Sequence, residues 1–122
     1  MHDGKYVDLT EKIIGCFYIV YNELGYGYNE SVYARALELL FREAGIGARK
    51  EHPVDVILRG ERIASFRLDF LIEDKVILEL KAGPALVAGA KSQLMTYLRS
   101  SKKEVGLVLY FGPEPDVKRI AM

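Results

Sequence analysis

The chain has 122 residues, which suits about one domain, and half of them are hydrophobic. This composition excludes an intrinsically disordered chain, whose signature is low hydrophobicity together with high net charge. Basic and acidic residues number 17 each, so the formal net charge is zero and the chain lacks the basic excess of most free-standing nucleic-acid-binding proteins.

The sequence also bears on where the protein resides. Residues 1–5 lack the apolar run of a signal peptide, and no segment approaches the roughly 20 apolar residues that cross a membrane. We therefore expect a single soluble domain over residues 1–122, located in the cytoplasm. Because so small a domain buries a modest fraction of its surface, pairing into a homodimer would bury more.

Helical spacing of hydrophobic residues predicts a first helix over residues 9–24, capped by Asp8 or Thr10. Its expected buried face is Leu9, Ile13, Cys16, Phe17, Val20 and Leu24. Cys16 cannot form an internal disulfide, because it is the only cysteine, and its apolar surroundings predict a buried, unreactive thiol.

A second helix is expected over residues 30–44, with Asn29 as its cap and Gly45 as its end. Its expected inward residues are Val32, Ala36, Leu39 and Leu40. Three tyrosines lie in or just after the glycine-containing turn before this helix, namely Tyr26, Tyr28 and Tyr33. They either stack on unpaired bases or pack against the sheet or a partner, and packing is the favoured interpretation.

In the middle of the chain the hydrophobic period changes from 3.6 residues to 2. Strands are expected over residues 48–58, 62–72 and 75–81, and Pro53 confines the first of them to an edge or a bulge. Because the connections are short turns, the three strands should form an antiparallel meander.

The last part of the chain returns to a helix and then a strand. A helix is expected over residues 85–100, followed by the apolar run 105–111, which is typical of a strand covered on both faces. A strand reached through a crossover helix is usually parallel to the strand it left. Residues 116–122 could add a short final strand. The expected fold class is α/β, with helices, a three-stranded antiparallel meander, a crossover helix and a parallel strand.

Charged residues interrupt the apolar pattern of the second and third strands. Alternation should place Phe66, Leu68, Phe70 and Ile72 on one face of the second strand, with Arg67 and Asp69 on the other. In the third strand it should place Val76, Leu78 and Leu80 opposite Ile77, Glu79 and Lys81. Neighbouring strands would therefore bring Asp69, Glu79 and Lys81 together on one surface.

Two carboxylates and a lysine suit the hydrolysis of a phosphodiester. Carboxylate oxygens are preferred ligands of Mg²⁺, which polarises a phosphoryl oxygen and lowers the pKa of bound water. The lysine could orient or deprotonate that water, or stabilise the charge of the transition state. The alternative is a structural salt-bridge cluster that neutralises itself, since buried ionised groups need partners.

The pattern Asp69, nine residues, then Glu79-Leu80-Lys81 resembles the PD-(D/E)XK nuclease superfamily, with Leu68 in the place of the proline. The segment 27–33 resembles the signature of the small GxxExxY family within that superfamily. Gln93 and Tyr97 resemble the QxxxY motif of its RecB-like branch. The resemblance extends from about Leu9 to the C-terminus and implies a restriction-endonuclease-like core.

The resemblance also implies roles for these residues. Asp69 and Glu79 would be the metal ligands, the Leu80 carbonyl a possible third ligand, and Lys81 the catalytic lysine. Glu30 would approach the metal directly or through water.

On the α-helix after the third strand, Gln93 would support the lysine or the substrate phosphate, with Tyr97 one helical turn beyond it. Taken without the resemblance, Glu30 is also a favourable acid for the first turn of a helix. Gln93 alone would be a solvated helix residue, and Tyr97 a core or interface aromatic.

The function expected from this pattern is a Mg²⁺-dependent nuclease, with Mn²⁺ as a substitute metal. Its expected partner is nucleic acid, DNA before RNA, and a homodimer is expected. The alternative, which the zero net charge favours, is a non-catalytic nuclease-fold module that binds metal or a protein partner. The basic residues Lys91, Arg99, Lys102 and Lys103 either line one edge of a substrate groove or form a solvated face.

Overall fold

The computed structural model of the chain describes residues 4–122, and the sequence predictions that concern residues 1–3 lie outside this part. In chain order the elements are α1 (Val7–Leu24), α2 (Glu30–Glu43), β1 (Ala48–Leu58), β2 (Glu61–Ile72), β3 (Val76–Ala82), α3 (Ala90–Ser101), β4 (Val105–Phe111) and β5 (Asp116–Ala121). The mixed α/β architecture confirms the predicted fold class. Within the described residues, no helix is both long enough and apolar enough to span a membrane.

The five strands form one sheet in the order β1-β2-β3-β4-β5. β1, β2 and β3 are the predicted antiparallel meander, and α3 connects β3 to β4, which is parallel to it. β5 pairs antiparallel with β4 and forms the second edge. Pro53 lies in β1, which is an edge strand, as predicted.

Two hydrophobic clusters cover the two faces of the sheet. The larger cluster packs α1 and α2 against one face, and the smaller cluster packs α3 against the other. β4 is buried along its whole length, as predicted from its apolar run. Cys16 is a free, buried cysteine in the larger cluster, and burial raises the pKa of its thiol.

Three predicted details of the helices are wrong. α1 begins at Val7, so its cap is Tyr6, which has a φ of 56°, and the predicted caps lie inside the helix. The Thr10 hydroxyl is buried there and donates to the Val7 carbonyl. α3 begins at Ala90 instead of residue 85, since Gly89 at a φ of 90° separates the helix from the preceding loop.

The buried face of α2 is the third difference. It consists of Tyr33, Leu37 and Phe41, spaced four residues apart, and these large side chains outweigh the smaller residues expected inward. Two leucines that were predicted to be buried are exposed, Leu39 in α2 and Leu24 at the end of α1. Asn29 caps the helix as predicted, because its side chain accepts a hydrogen bond from the Val32 amide.

The second strand does not keep one apolar face. Phe66 and Leu68 pack in the cluster beneath α3, whereas Phe70 and Ile72 pack in the cluster beneath α1 and α2. The change occurs at Asp69, where the β1–β2 pairing omits the position opposite Glu51, a residue with a φ of 55°. An irregularity of this kind turns the strand and re-aims its side chains.

Tyr33 holds the turn that precedes α2. Its ring stacks on Phe111 with 4.0 Å between ring centroids, and its hydroxyl donates to the Gly25 carbonyl at 2.6 Å. The same hydroxyl accepts a hydrogen bond from the Tyr28 amide at 3.2 Å. Tyr33 therefore packs in the core, whereas Tyr26 and Tyr28 are exposed.

We expect Tyr33→Phe to lower the free energy of unfolding by about 1–2 kcal/mol, because the Gly25 carbonyl loses its buried partner while the ring stack remains. Urea denaturation measures this difference. Tyr18→Phe is the matched control, since Tyr18 is an exposed helical tyrosine. An equal effect of both substitutions would contradict the assigned role of the Tyr33 hydroxyl.

Candidate active site

The sheet forks between β2 and β3. The two strands pair from Ile72 to Phe70, and no further pairing between them follows in residues 4–122. Beyond the fork, Asp69 joins the strands through its own polar groups. Its Oδ2 accepts a hydrogen bond from the Leu80 amide at 2.7 Å, and its amide donates to Oε2 of Glu79 at 3.1 Å. Two carboxylates thus replace ordinary sheet hydrogen bonds.

Each of these carboxyl groups keeps one oxygen without a hydrogen bond. Among residues 4–122, the partners of Asp69 and Glu79 use Oδ2 and Oε2, which leaves Oδ1 and Oε1. Asp69 is half-buried, and Glu79 is buried with 5% of its surface exposed. Asp69 lines a cleft that opens to solvent, so a ligand can reach the pair from the side of Asp69.

The crowding of acids disfavours their ionised forms. Burial, reinforced by the charge of Asp69, raises the pKa of Glu79 from 4.5 to about 8. Burial also raises the pKa of Asp69, and burial together with the Asp69 charge raises that of Glu30. The ammonium of Lys81 acts in the opposite sense on all three acids.

The other predicted site residues surround this pair. Lys81 Nζ donates to Oε1 of Gln93 at 3.2 Å, which links β3 to α3. Glu30, in the first turn of α2, lies near the backbone of Ala82 and interacts with the charges of Asp69 and Lys81. The helix N-terminus and the end of β3 therefore meet beside the fork.

Tyr97 lies at the margin of the cluster. Its half-buried ring stacks on Phe66 at 4.2 Å between centroids, with 18° between the ring planes. Burial, followed by the charges of Glu79 and Asp69, raises the pKa of its hydroxyl. Leu80 touches the site through its backbone amide, while its side chain is buried in the larger cluster.

The donor set fits a hard divalent cation. Two carboxylates lie beside Lys81, and a cation would offset the burial and the charge of Asp69 that together raise the pKa of Glu79. Residues 4–122 contain no ready-made group of three or more His, Cys, Asp and Glu side chains around one point. Further ligands would therefore have to come from backbone, water or substrate, as is common for Mg²⁺.

A cleft of about 390 Å³ opens beside the acids, between α2 and the strands β1 and β2. Glu30 and Asp69 line it together with three basic residues that the sequence analysis missed, Arg35, Lys50 and Arg67. No motif marks these three, because they come from separate elements that only the fold brings together. Arg99 and Lys102 instead line a separate depression next to residues 55–57, and Lys103 pairs with Asp74 at 3.3 Å.

Nearly the whole sequence matches a known protein family. The family model that describes the PD-(D/E)XK nuclease superfamily matches residues 7–120. The chain belongs to the PD-(D/E)XK nuclease superfamily. Nucleases of this superfamily generally use divalent metals and act on nucleic acid, which agrees with the oxygen donors at the fork.

One solved structure, "Crystal structure of SSO0001", resembles this PD-(D/E)XK chain in fold, with a TM-score of 0.61 and 21% sequence identity. The similarity covers 75% of this chain and 49% of that one, so the chain spans about half the length of that structure. At this identity the likeness shows the fold. No curated protein matches the chain.

Proposed function

We propose that the protein is a metal-dependent nuclease that hydrolyses phosphodiester bonds, with Mg²⁺ as its metal and Mn²⁺ as a substitute. The observation that carries this proposal is the carboxylate pair of Asp69 and Glu79, each with one oxygen outside the hydrogen bonds of residues 4–122, together with the lysine of the same motif held at 3.2 Å from Gln93. A salt-bridge cluster would use those oxygens internally.

Each residue has a task in this proposal. Asp69 and Glu79 hold the metal, with the Leu80 carbonyl as a possible third ligand. When bound, the cation polarises a phosphoryl oxygen and promotes the ionisation of water. Lys81 places a positive charge where negative charge develops on the phosphate, and Gln93 fixes its position.

Glu30 and Tyr97 complete the proposed site. Glu30 adds a carboxylate beside Asp69, and it can orient a water molecule there. Tyr97 supports the wall of the site through its stack on Phe66. Because these residues and Gln93 come from the two additional motifs, we place the protein in the GxxExxY family and in the RecB-like branch of the superfamily.

The remaining parts of the proposal concern the whole molecule. We infer one domain over residues 1–122 that acts in the cytoplasm, on DNA before RNA. A homodimer would supply the contact area that a chain with zero net charge lacks. Size measurement in solution tests this last part.

Cleavage assays test the proposal directly. Single- and double-stranded DNA and RNA are incubated with the protein and Mg²⁺ or Mn²⁺. We expect cleavage that chelator abolishes and that Asp69→Asn removes, because the variant loses a charged oxygen ligand. Asp8→Asn, at an exposed acid in α1, is the control and should cleave normally. No cleavage of any substrate, with Mn²⁺ binding that needs Asp69, would instead favour the non-catalytic module.

A further inference from the structure

The cleft beside the acids is lined by both acidic and basic residues. Its acidic side is formed by Glu30, Glu51 and Asp69, and its basic side by Arg35, Lys50 and Arg67. The acids lie at the fork, where the proposed metal binds. The basic residues extend away from it, along α2 and the outer strands.

Two of the three basic residues have no acidic partner. Lys50 forms an ion pair with Glu38 at 3.4 Å. Among residues 4–122, neither Arg35 nor Arg67 is within ion-pair distance of a carboxylate. Arg67 contacts the Glu51 carbonyl through one guanidinium nitrogen at 3.4 Å, which leaves its other donors free. Planar guanidinium groups of this kind are suited to phosphate oxygens.

The size of the cleft limits what can enter it. A volume of about 390 Å³ lies near the lower end of the range of small-ligand pockets. It therefore accommodates a group of the size of one nucleotide. The half-buried side chain of Ala34 gives it a small apolar surface against which a base or sugar can pack.

An exposed aromatic surface precedes the same helix. The rings of Tyr26 and Tyr28 are 44% and 49% exposed, just before Glu30. The backbone of Tyr28 is fixed by the Tyr33 hydroxyl, and its ring meets that of Tyr33 edge-on at 6.0 Å. Exposed aromatic rings beside a basic groove are typical of proteins that bind single strands, because unpaired bases stack on them.

We propose that the substrate at this site is an unpaired nucleic-acid strand, and that the nucleotide next to the scissile phosphate sits in the cleft with its phosphate bound by Arg35 and Arg67. This inference rests on the proposed nuclease function. A duplex keeps its bases stacked on each other, so it could not place a single base in a cleft of this size or on Tyr28.

Binding in Ca²⁺ tests the inference without requiring cleavage, because Ca²⁺ also takes oxygen ligands. Fluorescence anisotropy is measured with a labelled single-stranded oligonucleotide and with its duplex, for DNA and RNA, over a range of salt concentrations. Gel analysis afterwards confirms that the oligonucleotides are intact. The variants are Arg35→Gln and Arg67→Gln. Arg42→Gln is the matched control, an exposed arginine two turns further along α2.

We expect the wild type to bind the single strand about tenfold more tightly than the duplex. Arg35→Gln and Arg67→Gln should each weaken single-strand binding several-fold. Each should also make the slope of log K against log salt concentration shallower by about 0.7. Arg42→Gln should change neither quantity. Tyr28→Ala should weaken binding of the single strand but not of an abasic strand.

Equal or tighter binding of the duplex, or unchanged binding by both arginine variants, would overturn the inference. If such a protein still cleaves nucleic acid in a metal-dependent way, the proposed function stands without it. If no nucleic acid is bound or cleaved, the proposed function fails as well.

Discussion

Lys81→Ala is expected to reduce metal-dependent cleavage by about 10²–10³-fold while leaving substrate binding in Ca²⁺ nearly unchanged. The Lys81 ammonium lowers the pKa of Glu30, Asp69 and Glu79 alike. Its loss removes the positive charge that would stabilise the negative charge developing on the phosphate in the transition state. Single-turnover rates measure the effect separately from binding.

Two further variants sharpen this experiment. Gln93→Ala frees the Lys81 side chain from its 3.2 Å hydrogen bond, so it should slow cleavage by a smaller factor than removal of the lysine. Lys12→Ala removes an exposed lysine from α1 and should cleave at the wild-type rate. Unimpaired cleavage by Lys81→Ala would show that the lysine is structural, and a different group would then have to stabilise the charge.

Glu79→Gln is expected to stabilise the protein above pH 8 in the presence of chelator. The pKa of Glu79 is about 8 in the folded protein and near 4.5 when unperturbed. Between these values the unfolded chain releases the proton and the folded chain retains it. The wild type therefore loses stability as the pH rises from about 4.5 to about 8. Glutamine stays neutral, so the variant avoids this loss and should be more stable by about 2 kcal/mol.

Urea denaturation in chelator, from about pH 5 to about pH 9, measures the predicted difference. Glu23→Gln, at an exposed acid in α1, should have the same pH dependence as the wild type. Addition of Mn²⁺ should stabilise the wild type above pH 8 and not Glu79→Gln, since the variant lacks a ligand charge. If the two variants respond identically to pH, Glu79 is not the group that titrates between pH 4.5 and 8.

The strands were predictable from the sequence because their signals are local. The run 105–111 is apolar throughout, and the structure places it as β4, buried between its two neighbours. The structure brings Asp69, Glu79 and Lys81 together at the fork, as expected, although the alternation predicted for the second strand is broken at Asp69. What these residues do there remains a proposal.

Features that depend on backbone irregularity or on distant elements were not predictable. The change of face in β2 occurs opposite Glu51, a residue of another strand that has a left-handed backbone conformation. The basic cleft joins Arg35 on a helix to Arg67 on a strand, and no spacing in the sequence connects them. The late start of α3 at Ala90 depends on the conformation of the preceding glycine.

Asp69 and Glu79 also belong to two parts of the sheet that separate at the fork. Glu79 belongs to β3, which is paired along its length with the buried strand β4. Asp69 belongs to the β1–β2 ribbon, which beyond the fork is attached to α3 through contacts such as the Phe66–Tyr97 stack. The two acids therefore lie on opposite sides of the gap between the β1–β2 ribbon and the rest of the sheet. A cation that binds both of them ties the ribbon to the sheet, so occupancy of the site should reduce the mobility of the ribbon.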